Sequence, residues 1–240
     1  MAGSTQTPVP GLAVAGHTDT GRLRQHNEDA YLLLPEQGFF LVADGLGGHE
    51  GGEIASATAV EHVGRHLPEV TDWSDPAQGV AGILAGADRA VHARSEGPLR
   101  GMGTTAVGLL LRGNRFYTIH AGDSRAYRLA DGDELEQLTI DHTPENESGL
   151  APASGRRSGM ITRAIGVGEA TEFDLCTGET APGDRFLLCS DGLTDAVADE
   201  DIAGILAEEP VPETAARRLV DAANAAGGPD NITVVIIHLE

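Results

Sequence analysis

Three features of the chain predict an α+β fold with antiparallel sheets flanked by helices. Apolar runs that suit buried strands end twice on Asp-Gly, at Phe39-Phe40-Leu41-Val42-Ala43-Asp44-Gly45 and at Phe186-Leu187-Leu188-Cys189-Ser190-Asp191-Gly192. Strand-like segments come in blocks, without the strict alternation with helices that a parallel sheet needs. Segments of helical period come in two pairs, one in each half of the chain. The Asp-Gly ends are informative. A carboxylate at the end of a buried strand needs a partner, and a glycine after it lets the backbone turn and offer its carbonyl. Two such ends would deliver two carboxylates from a rigid frame, and hard divalent cations take oxygen ligands of this kind. A single Asp-Gly pair is equally well a plain turn.

The elements follow in order. Residues 1–10 are polar and contain proline, and we expect a disordered tail. Leu12 to His17 reads as a first strand, and Thr18 to Glu28 as a polar loop rich in Arg, Asn and Asp. Asp29 to Leu34 and Phe39 to Asp44 suit a hairpin. Gly45 to Gly52 is glycine-rich and reads as flexible. A helix is expected from Glu53, with Ile54, Ala57, Val60, Val63 and Leu67 on one face. A second is expected from about Ala77 to Ser95, with Val80, Ile83, Leu84, Ala87 and Val91 inward. Strands follow at Thr104 to Leu111, Arg115 to His120 and Arg125 to Leu129, with a hairpin turn at Asp131-Gly132. Asp131-Gly132-Asp133-Glu134 lacks the further ligands and the distal Glu of a calcium loop. Asp141 to Met160 has no periodicity, and a loop of that length is functional or disordered. Thr171 to Gly178 and Arg185 to Ser190 read as strands joined by Ala181-Pro182-Gly183-Asp184. Helices at Asp199 to Glu208 and Glu213 to Ala226 precede a last strand, Asn231 to Leu239. No repeat or domain boundary interrupts the chain, so residues 11–240 are expected to form one domain.

Composition narrows the chemistry. The net charge of −21 argues against a nucleic-acid or anionic-membrane surface. All 16 basic residues are Arg, so Schiff-base lysines and the phosphate-binding lysines of P-loop enzymes and kinases are excluded. Cys176 and Cys189 are too few and badly spaced for a zinc site or a disulfide scaffold. No apolar stretch approaches the ~18 residues of a membrane span. Met1 to Pro8 has neither a basic start nor an apolar core, so we expect no signal peptide and a cytoplasmic protein.

Further acids sit at loop–strand junctions: Glu28-Asp29, Asp123 and Asp230. With Asp44 and Asp191 they form a set that is hard to explain as turns alone. Their motifs run Arg24-Gln25-His26-Asn27-Glu28-Asp29, Asp44-Gly45-Leu46-Gly47-Gly48-His49, Gly101-Met102-Gly103-Thr104-Thr105, Gly122-Asp123-Ser124-Arg125, Leu138-Thr139-Ile140-Asp141-His142, Ile161-Thr162-Arg163-Ala164-Ile165-Gly166, Cys189-Ser190-Asp191-Gly192-Leu193 and Gly228-Pro229-Asp230-Asn231. In this order they resemble a bacterial metal-dependent protein phosphatase of the type 2C family, which acts on phosphoserine and phosphothreonine.

The resemblance implies a central sandwich of two antiparallel sheets with helices outside, and a metal centre in a cleft at one edge. It implies Mn²⁺ or Mg²⁺ as cofactor. By position, Asp44 would bridge two cations and the Gly45 carbonyl would bind one. Asp191 and Asp230 would bind the other, and Glu28 and Asp29 would complete the site directly or through water. Asp123, with Asp191, would hold a third, weaker cation. Two cations can activate a water between them and clamp an in-line displacement at phosphorus. Arg24 offers a two-pronged grip on phosphate oxygens, and His49 suits a general acid for the leaving oxygen. No protein nucleophile is offered, because Cys189 lies in an apolar run with no phosphate-binding glycine loop after it. The implied partners are phosphoproteins and a eukaryotic-like serine/threonine kinase in a bacterium, and the expected state is a monomer.

One departure from the family is the flap, at about 141–160, which is shorter and rich in Gly, Ser and Pro, with Arg156-Arg157 as its basic pair. Two other readings stay open: a phosphatase of a small phosphorylated metabolite, and an inactive relative used for binding, although every expected acid is present. A hairpin through Ala181 to Asp184 would set Cys176 opposite Cys189. Close cross-strand pairs lie within disulfide reach, although two apolar fillers is the plainer reading.

Overall fold

The computed structural model describes residues 11–47, 50–130, 134–149 and 160–240. The expected tail at 1–10 lies outside them, as do His49, the Asp131-Gly132 turn and Arg156-Arg157. The first half holds β1 (Leu12–Asp19), β2 (Asp29–Leu34), β3 (Phe39–Leu46), α1 (Glu50–His66) and α2 (Pro76–Arg94). Then come β4 (Gly103–Thr104), β5 (Ala106–Arg112), β6 (Arg115–Ala121), β7 (Arg125–Leu129), β8 (Leu135–Gln137) and α3 (Pro144–Ser148). The chain closes with β9 (Asp174–Glu179), β10 (Arg185–Cys189), α4 (Asp191–Thr194), α5 (Asp199–Glu208), α6 (Pro212–Ala225) and β11 (Ile232–Leu239).

Two antiparallel sheets result. One runs β1-β11-β10-β7-β8, and the other runs β2-β3-β5-β6-β9 with β4 added beside β3. Alternation along the strands explains the four-layer stack. Phe40, Val42, Phe186 and Leu188 point into the layer between the sheets, with Val107, Leu109, Val235 and Ile237. Phe39 and Leu41 point the other way, against α1 and α2. Leu187 and Cys189 face α5 and α6. Strands buried on both faces are why these runs are continuously apolar rather than alternating. Each such side chain contributes about 1.5–3 kcal/mol on burial.

The helices show where periodicity misled. α2 begins at Pro76, with the Asp75 side chain capping Gln78 N–H, and buries Val80, Leu84, Ala87 and Val91 as expected. α1 starts at Glu50 rather than Glu53, so Gly51 and Gly52 belong to the helix. Its buried line is Ala55, Ala59 and Val63, continued by Leu67 just after the helix, while Ala57 is exposed. Small residues come first on this line, where the start of α1 lies so close to β3 that a Cβ on Gly45 would overlap the Gly52 carbonyl oxygen.

Two further expectations are corrected. The aperiodic stretch after Asp141 includes a short helix, α3, capped by the Thr143 side chain. The hairpin predicted through Ala181 to Asp184 does not form. β9 pairs with β6 in one sheet, while β10 pairs with β11 and β7 in the other. Cys176 stands opposite Thr118, and Cys189 opposite Val234 and Arg125. A loop that crosses between sheets looks, in sequence, like a tight hairpin turn.

Candidate metal centre

The site is assembled where strands of both sheets end together. The β2–β3 hairpin sets Asp29 directly opposite Asp44. β3 then continues to Leu46, so Gly45 is a strand residue and not the expected turn; the turn comes at Gly47, where φ is +124°. Gly45 is needed for close approach. A Cβ there would overlap the carbonyl oxygen of Gly52 and lie 2.5 Å from that of Glu28. A Cβ on Gly52 would overlap Glu28 Oε2 in the same way. The Glu28 carbonyl accepts from Gly45 N–H at 3.1 Å and from Ser56 Oγ at 2.6 Å, tying loop, strand and α1 into one corner.

The opposite wall comes from the second sheet. β10 ends at Cys189, and Asp191 opens the single turn of α4. Ser190 Oγ donates to Asp29 Oδ2 at 2.8 Å and accepts from Thr233 N–H at 3.0 Å, which joins the two Asp-bearing walls. Asn231 is buried. Its Oδ1 accepts from Glu28 N–H at 2.8 Å, and its Nδ2 donates to the carbonyls of Thr20 and His26, each at 2.9 Å. The loop carrying Arg24 and Glu28 is thereby fixed beside Asp230. Arg24 donates to Asp230 Oδ2 at 2.6 Å, and the pair is partly exposed.

Glu28, Asp44, Gly45, Asp123, Asp191, Asp230 and Arg24 line one cavity of about 240 Å³. Arg24 is the only cation among the described residues of its lining. Asp29 does not line it. It is held behind the wall by Ser190, and its Oδ1 has no hydrogen-bond partner among the described residues. Crowding shows in the acidities. Burial first, then repulsion from Asp29, Asp191, Asp123 and Asp230, pushes Asp44 well above the usual carboxylate range. Burial, followed by repulsion from Asp123 and Asp230, pushes Asp191 up to about 7. Burial lifts Asp29 to about 6, against hydrogen bonds from Thr233 and Ser190, and lifts Asp123 to about 6.

The donor set fits hard divalent cations. It consists of carboxylates and a backbone glycine, with no thiol or imidazole among the described lining residues. A cluster of acids that cannot all ionise together is what bound cations would relieve.

Of the residues singled out from sequence, the structure brings together Arg24, Glu28, Asp44, Gly45, Asp123, Asp191 and Asp230, and sets Asp29 just behind them. His49 lies outside the described residues. Sequence reasoning missed the roles of Ser190 and Asn231, which sat inside quoted motifs without a job of their own. It also missed Asp195, an exposed acid whose charge acts on both Asp123 and Asp191. It stands one helical turn after Asp191, and that spacing was the available signal.

A second cluster sits beside the Asp123 turn. His120, His142 and Asp174 lie close enough to suit a cation. The hydrogen bonds argue otherwise. His142 Nδ1 accepts from Gly122 N–H at 3.1 Å, so the neutral ring carries its proton on Nε2, 3.3 Å from Asp174 Oδ2. That leaves no lone pair on Nε2 for a metal. His142 stacks on His120, with ring centroids 4.5 Å apart, and its own N–H donates to the Gly122 carbonyl at 2.9 Å. It clamps the residue before Asp123 from both sides.

Comparison with known proteins agrees with this geometry. The family model for protein phosphatase 2C matches residues 16–223. The chain belongs to that family. It is 38% identical to the serine/threonine protein phosphatase PstP of Mycobacterium tuberculosis over 94% of its own length, and spans 44% of that protein. It is 33% identical to the serine/threonine phosphatase stp of Listeria innocua, covering 92% of this chain and 93% of that one. The crystal structure of the PstP catalytic domain in complex with two manganese ions superposes with a TM-score of 0.85 at 36% identity, over 96% of this chain and 99% of that one.

Proposed function

We propose that the chain is a metal-dependent protein serine/threonine phosphatase that hydrolyses phosphoserine and phosphothreonine in proteins. The observation that carries this reading is the convergence of Glu28, Asp44, Asp123, Asp191 and Asp230 on one small cavity with a guanidinium at its edge. Two divalent cations bound there would supply Lewis-acid activation of water and of the phosphoryl group. Asp44, the Gly45 carbonyl, Asp191 and Asp230 would hold them, with Glu28 at the wall and Asp29 supporting from behind. Asp123, with Asp191, would hold a third, weaker cation. Arg24 would leave Asp230 to grip the phosphate, since both are acidic oxygens of matching geometry. His49, by its place in the sequence motif, would protonate the departing serine or threonine oxygen.

We read residues 11–240 as one catalytic domain with a short flap at about 141–160. Among the described residues, no helix is long and apolar enough to cross a membrane, and the acidic surface suits a cytoplasmic monomer. The manganese-bound relative and the names of the bacterial relatives support the metal requirement and a role opposing a eukaryotic-like serine/threonine kinase. The test compares turnover of a phosphothreonine peptide, p-nitrophenyl phosphate and small phosphorylated metabolites. Higher kcat/KM on the peptide supports a protein substrate. Higher kcat/KM on a small metabolite would overturn it.

A further inference from the structure

The end of β3 and the Gly122–Ser124 turn meet at one side chain, Thr105. It stands at the break between β4 and β5 and is 0% exposed. Its N–H donates to the Asp44 carbonyl at 2.8 Å. Its Oγ1 accepts from Asp44 N–H at 3.0 Å, so both backbone groups of Asp44 bond to this residue, the carbonyl also accepting from Thr104 Oγ1 at 2.9 Å. The same Oγ1 lies 2.7 Å from Ser124 Oγ. A threonine hydroxyl has one proton and two acceptor sites. With one acceptor site used by Asp44 N–H, the proton remains free for Ser124. The methyl group packs on the other side of the turn: a Cβ at Gly122 would lie 2.6 Å from Thr105 Cγ2, and Gly122 holds φ at +109°. Thr105 therefore touches the residues on both sides of Asp123 and pins the backbone of Asp44.

These contacts join two carboxylates that come from separate segments of the chain. Asp44 lies two residues before the end of β3, and Asp123 lies in the turn by which the chain crosses from β6 in one sheet to β7 in the other. The hydroxyl lets Thr105 act on both, because one oxygen serves both bonds. Valine has the same shape, but it would leave Asp44 N–H and the Ser124 hydroxyl without their partner in a buried place. That loss is expected to let the two carboxylates drift independently rather than to unmake the strands, whose ladder bonds do not pass through the hydroxyl.

We propose that Thr105 is a positioning residue that couples the Asp44 and Asp123 carboxylates, so that one buried hydroxyl sets the spacing of the divalent-cation sites. The proposal rests on the reading of the cavity as a metal centre.

The test is calorimetric titration of Mn²⁺ into the metal-stripped full chain, with thermal melts run in parallel. Wild type, Thr105→Val, Thr105→Ser and Ser124→Ala are compared. Thr105→Val should bind Mn²⁺ about 10- to 100-fold more weakly, the usual loss when a partner that orients a ligand is removed. Thr105→Ser keeps the hydroxyl and should restore the wild-type isotherm even if its melting point falls. Ser124→Ala cuts only the far link and should weaken the weakest Mn²⁺ site alone. An unchanged isotherm in Thr105→Val, or equal losses in Val and Ser, would overturn the coupling. If Thr105→Val does not fold, Ser124→Ala decides, and an unchanged weak site there overturns it. A wild-type chain that takes up no Mn²⁺ would overturn the metal-centre reading itself, a result distinct from either.

Discussion

Asp29 and Asp44 stand directly opposite each other across the β2–β3 ladder. Like charges in that position repel, and here burial and the neighbouring acids add to the cost. The fold holds this arrangement because both strands are anchored elsewhere, by the apolar layers on the two faces of β3. Stability is spent at this end of the ladder to place Asp44 at the cavity, with Asp29 held behind it.

The first prediction concerns the metal-free chain and pH. Asp191 has a folded value of about 7 against an ordinary 3.8. Below about pH 4 the carboxyl is neutral in both states and costs nothing, while above about pH 7 the folded chain must ionise it among its neighbours. Stability is therefore lost as pH rises between those limits. Asp191→Asn removes that cost. The metal-free variant should melt above wild type at about pH 7.5, with the advantage shrinking steadily as pH falls toward 4. Thermal melts of both proteins across the range check it. A constant difference, or one of opposite slope, would show that Asp191 is not crowded in this way.

Arg24→Ala should lower kcat/KM for a phosphopeptide by roughly 10- to 100-fold, the loss of a charge-assisted contact of about 1.5–3 kcal/mol. Its pairing with Asp230 is partly exposed, so the melting point should hardly move. Steady-state kinetics beside a melt separate the two effects. Unchanged kcat/KM would leave Arg24 as a structural partner of Asp230 only.

Gly52→Ala reverses an ordinary rule. In a helix interior Ala is better than Gly by about 0.8–1 kcal/mol. At this position the added methyl would overlap Glu28 Oε2. The substitution should lower the melting point and weaken Mn²⁺ binding, because Glu28 must leave the cavity wall. A stabilised variant with unchanged Mn²⁺ affinity would contradict the placement of Glu28.

Mild oxidation should not link Cys176 to Cys189. Their strands belong to different sheets, and burial pushes the Cys189 thiol up to about 12, which leaves almost no thiolate. Mass spectrometry of the oxidised chain is the check. An intramolecular link formed in the folded protein would mean that β9 and β10 approach each other.

Much of the fold was legible because burial on both faces leaves a plain mark. Phe39 to Ala43 and Phe186 to Cys189 read as inner strands, and each pointed at an Asp. The acids of the cavity were legible for the same reason, since Asp44, Asp123, Asp191 and Asp230 all follow or precede an apolar run. Strand partnership was not legible. The β9–β10 crossover and a hairpin have the same local chemistry at Ala181 to Asp184, and only long-range pairing tells them apart. Gly45 was read as a turn because a glycine frees the backbone, whereas its function here is to leave room for Glu28 and Gly52. Thr105 and Ser190 were invisible as individuals. A buried hydroxyl gains a role only when its two partners, distant in sequence, are brought to it.

The most direct test of the central claim is phosphate release from a phosphothreonine peptide by the chelator-stripped chain, before and after Mn²⁺ is restored, with Asp44→Asn and Asp191→Asn alongside. The carboxylate cavity predicts no turnover in the stripped protein, recovery with Mn²⁺ in wild type, and none in either variant although both remain folded. Full turnover after exhaustive chelation, or recovery in the variants equal to wild type, would contradict it.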